Sequence, residues 1–384
     1  MNGVNAYFDN SATTRPCREA VDAVTLAMTE LWGNPSSLHQ VGIEAEELLE
    51  KSRARVAKKL MCRPDEILFT SGGTESNNTA LYGAARALKH KGKRIVTSAV
   101  EHPSVDETLT HLEQEGFEVI RVPVDSSGRI KTDELYESVN KDTILVSIMA
   151  VNNEVGTIQP VEEAKKAVLA AGAPALVHCD GVQVFGKMPF KPRALGIDLM
   201  SISSHKIHGP KGVGALYIGN GVRISPRTFG GLQEKQLRPG TEAMPAIAGF
   251  GAAANALPDF NEGLKKVTEL RELMLRLFSE IGGIEVNSPS DALPYITNIS
   301  VIGRKSEPML NFLSDRGVYV SAGSACSKGR KSKVLSAMGL DDTRLESPLR
   351  ISMSRLTTEE EVRYLAGTIA DGMRLIRSTG KKGN

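Results

Sequence analysis

Cysteine is scarce in this chain. Four occur in 384 residues, at positions 17, 62, 179 and 326, and none forms a CxxC pair. That spacing excludes a disulfide framework and a zinc site built from this chain alone. An excess of charge of one sign is also missing: 47 basic against 45 acidic side chains leave a formal net charge of +2. No dedicated nucleic-acid or membrane-surface partner is therefore expected, and a small-molecule substrate is. No apolar run approaches the length that crosses a bilayer. The start, MNGVNAYFDNSATTRP, lacks a basic segment followed by an apolar stretch, so neither a secretory signal nor a lipid anchor is read there. A cytoplasmic location is the expectation. Internal repeats and low-complexity tracts are absent as well.

What is present is an ordinary globular composition, 41% hydrophobic and 24% charged, in a chain longer than one core usually serves. From about residue 66 to 220, short β-branched runs alternate with amphipathic stretches. Candidate strands cover 66–71, 93–100, 117–124, 142–151, 175–182, 199–205 and 212–219. Between several of them lie helical patterns such as SNNTALYGAARALKHKG, SVDETLTHLEQEG and VEEAKKAVLAAG, each ending in Gly. This rhythm predicts an α/β fold with a mostly parallel central sheet flanked by helices. After about 256 it changes to a long helix, NEGLKKVTELRELMLRLFSEIGG, shorter strands around ITNISVIG, VYVSAGS and LRISMS, and a closing helix from TTEEEV. The expected division is a large domain over 15–255 and a smaller α+β domain formed by 1–14 and 256–384.

Four clusters carry chemistry. In FTSGGTESNN (69–78) a strand runs through two glycines into a helix. Glycine lets backbone approach an anion, and a helix start favours phosphate, which points to Gly73 and Thr74; a plain strand-to-helix turn is the alternative. The string is neither GxGxxG nor a Walker motif, which disfavours dinucleotides and nucleoside triphosphates. In SISSHKIHGPKG (201–212) Lys206 leaves a strand into a turn, where a lowered pKa would suit Schiff-base chemistry; a solvated lysine is the alternative. Asp180 in HCDGVQ (178–183) ends an apolar strand, where a buried carboxylate needs a cationic partner such as a pyridinium nitrogen, unless it caps a turn. Cys326 sits in SAGSACSKGRKSK (321–333), whose small residues predict a mobile loop and whose basic residues favour the thiolate. Cys17, Cys62 and Cys179 read as small buried hydrophobes.

Taken in order, these clusters resemble the cysteine desulfurases of the NifS/IscS type, within the class V aminotransferase family of fold-type I pyridoxal-phosphate enzymes. The likeness runs from FDNSATT (8–14) through GNPSSLHQVG (33–42), FTSGGTESNN, EHPSV (101–105), VNNEVGTIQP (151–160), HCDGVQ, SSHKIHGPKG, LRPGTEA (237–243) and SAGSACS (321–327) to LRISMSRLTTEEEV (349–362).

The resemblance implies that Lys206 holds pyridoxal 5'-phosphate, that His102 lies over the ring and helps move protons, and that Asp180 pairs with the ring nitrogen. Asn152 and Gln183 would approach the ring hydroxyl side. Thr74, Ser203 and His205 would bind the phosphate, with Gly73 giving close backbone approach. Thr241 would reach the phosphate of a neighbouring subunit, so a homodimer is implied. Arg350 would clamp the substrate carboxylate through two parallel hydrogen bonds, helped by Asn34 and Asn152. Cys326 would be the nucleophile that takes sulfur from L-cysteine as a persulfide, leaving L-alanine, and passes it to an acceptor such as an iron–sulfur scaffold or a thiolation protein. No metal site is expected beyond a transient iron–sulfur ligand role for Cys326.

Departures from the family pattern fall late in the chain. The stretch after Cys326, SKGRKSKVLSAMGL, is shorter and more basic than usual, Ala243 stands where asparagine is common, and MSR at 353–355 replaces Leu-Gly-Arg. They bear on partner choice and remove no residue assigned to chemistry. The rival readings are another class V enzyme, a selenocysteine lyase or an aminotransferase, and a non-catalytic sulfur-trafficking protein.

Overall fold

The computed structural model describes residues 5–323 and 331–378. Among them twelve strands form three sheets. Strand β1 (Ala6–Tyr7) precedes the main sheet, which is built from β2 (Ile67–Thr70), β3 (Arg94–Ser98), β4 (Glu118–Val122), β5 (Thr143–Ser147), β6 (Leu176–Asp180), β7 (Leu199–Ser203) and β8 (Gly214–Ile218). Its order is β2-β8-β7-β6-β5-β3-β4. All pairs are parallel except those made by β8, which runs against both β7 and β2. The seven expected strands all lie within the predicted windows. They were readable because a strand covered on both faces is a continuous apolar run: β5 and β7 are buried along their whole length, whereas edge strand β4 is mostly not.

Helices Gly73–Leu88, Pro103–Gln114 and Val161–Ala171 correspond to the three helical patterns. The last ends at Gly172, whose φ of +61° is the left-handed C-cap that the terminal glycine foretold. Not foreseen were helices Arg18–Thr29, Gln40–Leu60 and Met244–Asn255, which pack together against the sheet region.

Beyond residue 256, helix Phe260–Ile281 begins at Asp259, whose side chain accepts from Asn261 N. Strands β9 (Ile284–Val286), β10 (Ile296–Val301), β11 (Val318–Tyr319) and β12 (Pro348–Ser352) follow, with β12-β10-β9 forming an antiparallel sheet. Helix Glu359–Leu375 closes the fold. Its start is a reciprocal cap, Thr358 N donating to Glu361 Oε2 at 2.7 Å and Glu361 N to Thr358 Oγ1 at 3.2 Å.

The amino-terminal segment is stitched to this late part of the chain. Strand β1 pairs with β11 in parallel, and Ser352 N donates to Phe8 O at 2.6 Å. Asn10 Nδ2 donates to Ser352 O at 2.8 Å, and Ser11 N to Ser352 Oγ at 2.8 Å. Residues 8–12 are thereby carried past the carboxyl ends of the main-sheet strands, the edge at which open α/β sheets bind ligands.

Candidate active site

A cavity of about 270 Å³ opens at that edge, lined by residues of the loops after β2, β3, β6 and β7 together with Ser11, Ala12, Met149, Asn153 and Arg350. The turn after β2 passes through Gly72, at φ +153° and ψ −177°, a conformation open essentially to glycine alone. Gly73 follows, and a Cβ there would stand 2.8 Å from Val182 Cγ2, so the helix start and the loop after β6 can approach only with glycine at this position. Gly73 and Thr74 both line the cavity, as do Ser203 and His205. Helix Gly73–Leu88 thus turns its amino end toward an opening rimmed by hydroxyl and imidazole groups.

Lys206 ends a short turn, Ser204–Lys206, in the connection between β7 and β8. Its Nζ donates to Ser11 O and, at 2.8 Å, to Ala12 O. Burial pushes its pKa down to about 8, with the Arg350 charge adding to the shift and Asp180 and Asp9 opposing it. A substantial neutral fraction near physiological pH makes this amine a nucleophile. His205 sits beside it with Nδ1 3.2 Å from Thr13 Oγ1, and burial followed by the Lys206 charge lowers its pKa to about 4.

Asp180, 5% exposed, has both oxygens fixed: Oδ1 accepts from Val182 N at 3.0 Å and Oδ2 from Asn77 Nδ2 at 2.8 Å. Asn77 Nδ2 also lies 2.8 Å from Ser104 Oγ, which is 2.8 Å from His102 Nδ1. His102 caps helix Pro103–Gln114, its Nδ1 accepting from Ser104 N at 3.1 Å. Burial, then the Lys206 charge, keeps its pKa below the usual imidazole value against the pull of Asp180. One amide, Asn77, therefore orients both the carboxylate and the imidazole. It was missed in the sequence, although it lies one helical turn beyond Gly73 and so on the same face.

Arg350 is 2% exposed on β12. Its Nη2 donates to Asp9 Oδ1 at 2.8 Å and its Nη1 to Asn153 O at 3.1 Å, while Nε is buried without a partner among the described residues. Gln183 lines the cavity and donates through Nε2 to Ser11 O at 3.0 Å.

Two expected residues, Asn152 and Asn34, are not brought to the cavity. Asn152 is fully buried, its Oδ1 accepting from Glu154 N at 2.9 Å and Val155 N at 3.1 Å while Nδ2 donates to Val100 O at 3.1 Å. Its amide is used up in holding the turn, and the neighbouring Asn153 lines the cavity instead. Asn34 is exposed, with Oδ1 accepting from Ser36 N at 2.9 Å in a local turn, and it does not line the cavity. Thr241, expected at the site of a neighbouring subunit, is exposed and outside the cavity of its own chain. Cys326 lies outside the described residues. Among those described, no cluster of His, Cys, Asp or Glu could hold a metal ion, and no helix is long and apolar enough to cross a membrane.

Residues 6–365 match the aminotransferase class-V family. The chain is 42% identical over 363 residues to a cysteine desulfurase IscS of Dictyoglomus turgidum, covering 93% of this chain and 92% of that one. A solved NifS-like protein superposes with a TM-score of 0.90 at 41% identity, covering 96% of this chain and 99% of the other. A second structure, of SspA in complex with cysteine, gives a TM-score of 0.81 at 30% identity, covering 92% of this chain and all of the other. With the ordered motifs, the sheet topology and the lysine-centred cavity, these likenesses show that the chain belongs to the class V aminotransferase family, among its NifS/IscS-type cysteine desulfurases.

Proposed function

We propose that this protein is a cysteine desulfurase, converting L-cysteine to L-alanine with the sulfur captured on Cys326. The observation that carries the reading is the convergence on one cavity of a lysine with a depressed pKa, a doubly anchored aspartate, a capped histidine and a buried arginine. The residues present fit pyridoxal 5'-phosphate. A glycine-only turn at a helix start, with Thr74, Ser203 and His205 around it, would hold the phosphate. Asp180 would face the ring nitrogen, His102 would cover the ring, and Gln183 would stand near its hydroxyl. When bound, this cofactor supplies an electron sink for charge developing at the α-carbon of an amino acid.

The protein's own groups do the rest. Arg350 would bind the substrate α-carboxylate, pre-set by Asp9 and the Asn153 carbonyl. Lys206 Nζ, once free, would move the proton at the α-carbon, with His102 as a second proton carrier. The Cys326 thiolate would attack the substrate sulfur: the carbon–sulfur bond breaks, a sulfur–sulfur bond forms, and the carbon takes a proton to become the methyl group of alanine. The resulting persulfide is a reversible store that a second thiol relieves.

Thr241, exposed in one chain, would complete the phosphate site of a second copy, making the working unit a homodimer. The acceptor would be an iron–sulfur scaffold or a thiolation protein. The division into 15–255 and 1–14 with 256–384 belongs to the same proposal.

Mass spectrometry after exposure to L-cysteine tests the reading. One extra sulfur is expected on the peptide containing Cys326. Cys326→Ala should lose alanine and sulfide production while retaining visible absorbance after loading with pyridoxal phosphate. Undiminished sulfur release by that variant would overturn the assignment.

A further inference from the structure

Lys187 lies behind the cavity wall and has no part in the scheme above. It is 7% exposed, and its Nζ donates to Gln183 Oε1 at 2.9 Å. The charges acting on it are the cations Lys206 and Arg350, and the Tyr295 ring centroid lies 5.9 Å from Nζ. Burying an ammonium among cations is costly, and an apolar side chain would fill the same space without that cost. What lysine adds here is a donor.

The recipient of that donor leads straight to the site. Nζ donates to Oε1, so that end of the Gln183 amide faces it, and the ammonium form can make no other bond to the amide. Nε2 is then left to point at Ser11 O, which it meets at 3.0 Å. The same Ser11 carbonyl accepts from Lys206 Nζ. Lys187 Nζ, the Gln183 amide, the Ser11 carbonyl and Lys206 Nζ thus form one unbroken chain of hydrogen bonds. The two lysines also share the lining of a second cavity, of about 20 Å³, with Tyr295 and Arg355.

We propose that Lys187 is a positioning residue for Lys206: by holding Gln183 in one amide orientation, it fixes the carbonyl that receives Lys206 Nζ and so sets where that amine stands. The inference rests on the reading of the cavity as a pyridoxal-phosphate site.

The test compares the cofactor-loaded parent with Lys187→Met, Gln183→Ala and the double variant. It reads the ratio of the long- to short-wavelength visible absorbance at one pH, kcat for alanine formation, and thermal unfolding of each unloaded protein. Lys187→Met should change the absorbance ratio and lower kcat about tenfold, as loss of one buried hydrogen bond does. The double variant should stay within about twofold of Gln183→Ala, since a residue acting through another adds nothing once that other is gone. An unchanged ratio with kcat within about twofold of the parent would overturn the proposal whatever the melting temperature, and so would a double variant that falls by the product of the single losses. Gln183→Ala with the parental ratio would overturn it too, so the test holds even where Lys187→Met fails to fold. A parent protein that stays colourless with pyridoxal phosphate sinks the cofactor reading and this inference together. A coloured parent with indifferent variants sinks this inference alone.

Discussion

Arg350 and Asp9 stand 341 positions apart in sequence and meet at 2.8 Å, with the guanidinium 2% exposed and the carboxylate 23%. The pair joins the stitched amino-terminal segment to strand β12 at the wall of the cavity. With Nη1 on the Asn153 carbonyl and Nη2 on Asp9, the planar fork is held before any substrate arrives.

Arg350→Lys keeps the charge and loses the fork. It cannot hold Asp9, the Asn153 carbonyl and a carboxylate together, so KM for L-cysteine is expected to rise about tenfold or more, with kcat changed much less. Steady-state kinetics that found KM unaltered would show that the substrate carboxylate binds elsewhere.

Lys206 is expected to capture pyridoxal phosphate with a rate that rises with pH through about 8 and then levels off, because only the neutral amine attacks. The visible absorbance of the unloaded protein mixed with cofactor reports this directly. Lys206→Ala should give no such absorbance, and a parent rate that stays flat across that range would contradict the depressed pKa.

Glu101 is buried, with Oε1 accepting from Ser98 Oγ at 2.7 Å and Met149 N at 2.9 Å. Burial pushes its pKa up from 4.5 to about 8 despite those hydrogen bonds. Between those values the folded protein keeps a proton that the unfolded chain has lost, so this group's contribution to stability declines as pH rises through the window. Glu101→Gln removes the decline. The melting temperature of the parent relative to the variant should therefore fall as pH rises, by roughly 1–2 °C for each kcal/mol of linkage. A pH-independent difference would mean that the carboxyl ionises normally.

Glu234 holds a strained turn. It, Lys235 and Gln236 have φ of +43°, +57° and +64°, left-handed values that cost roughly 1–2 kcal/mol for each residue with a side chain. Against this, its carboxylate takes two hydrogen bonds from Arg53, at 2.7 and 3.1 Å, and one from Phe69 N at 2.8 Å. Glu234→Gln removes the negative charge facing Arg53, which keeps Glu50 and the Ile67 carbonyl, and should lower unfolding free energy by about 2 kcal/mol. Denaturant unfolding measures it, and a loss under about 1 kcal/mol would show that the turn stands without the ion pair.

Much of this architecture could be read from the residues alone. Strands buried on both faces are continuous apolar runs, and amphipathic helical patterns separate several of them, so the seven strands of the main sheet stood out. Strand β1, two residues long, has no periodicity to detect, and its pairing with β11 joins segments more than 300 positions apart. For the same reason the Asp9–Arg350 pair was invisible, although Arg350 itself was named. The adjacent asparagines show the limit most sharply. Asn152 and Asn153 are the same residue type in one motif, and only the turn decides that the first amide is consumed by Glu154 N and Val155 N while the second faces the cavity.

By itself, the sequence determined which chemical groups are available and the order of the elements that present them, because both follow from local composition and periodicity. Tertiary structure alone decided that Lys206 is desolvated beside Arg350, that Asn77 serves Asp180 and His102 at once, and that Lys187 is buried behind Gln183. These are matters of distance and dielectric, set by how segments remote in the chain pack together, and local periodicity carries no record of them.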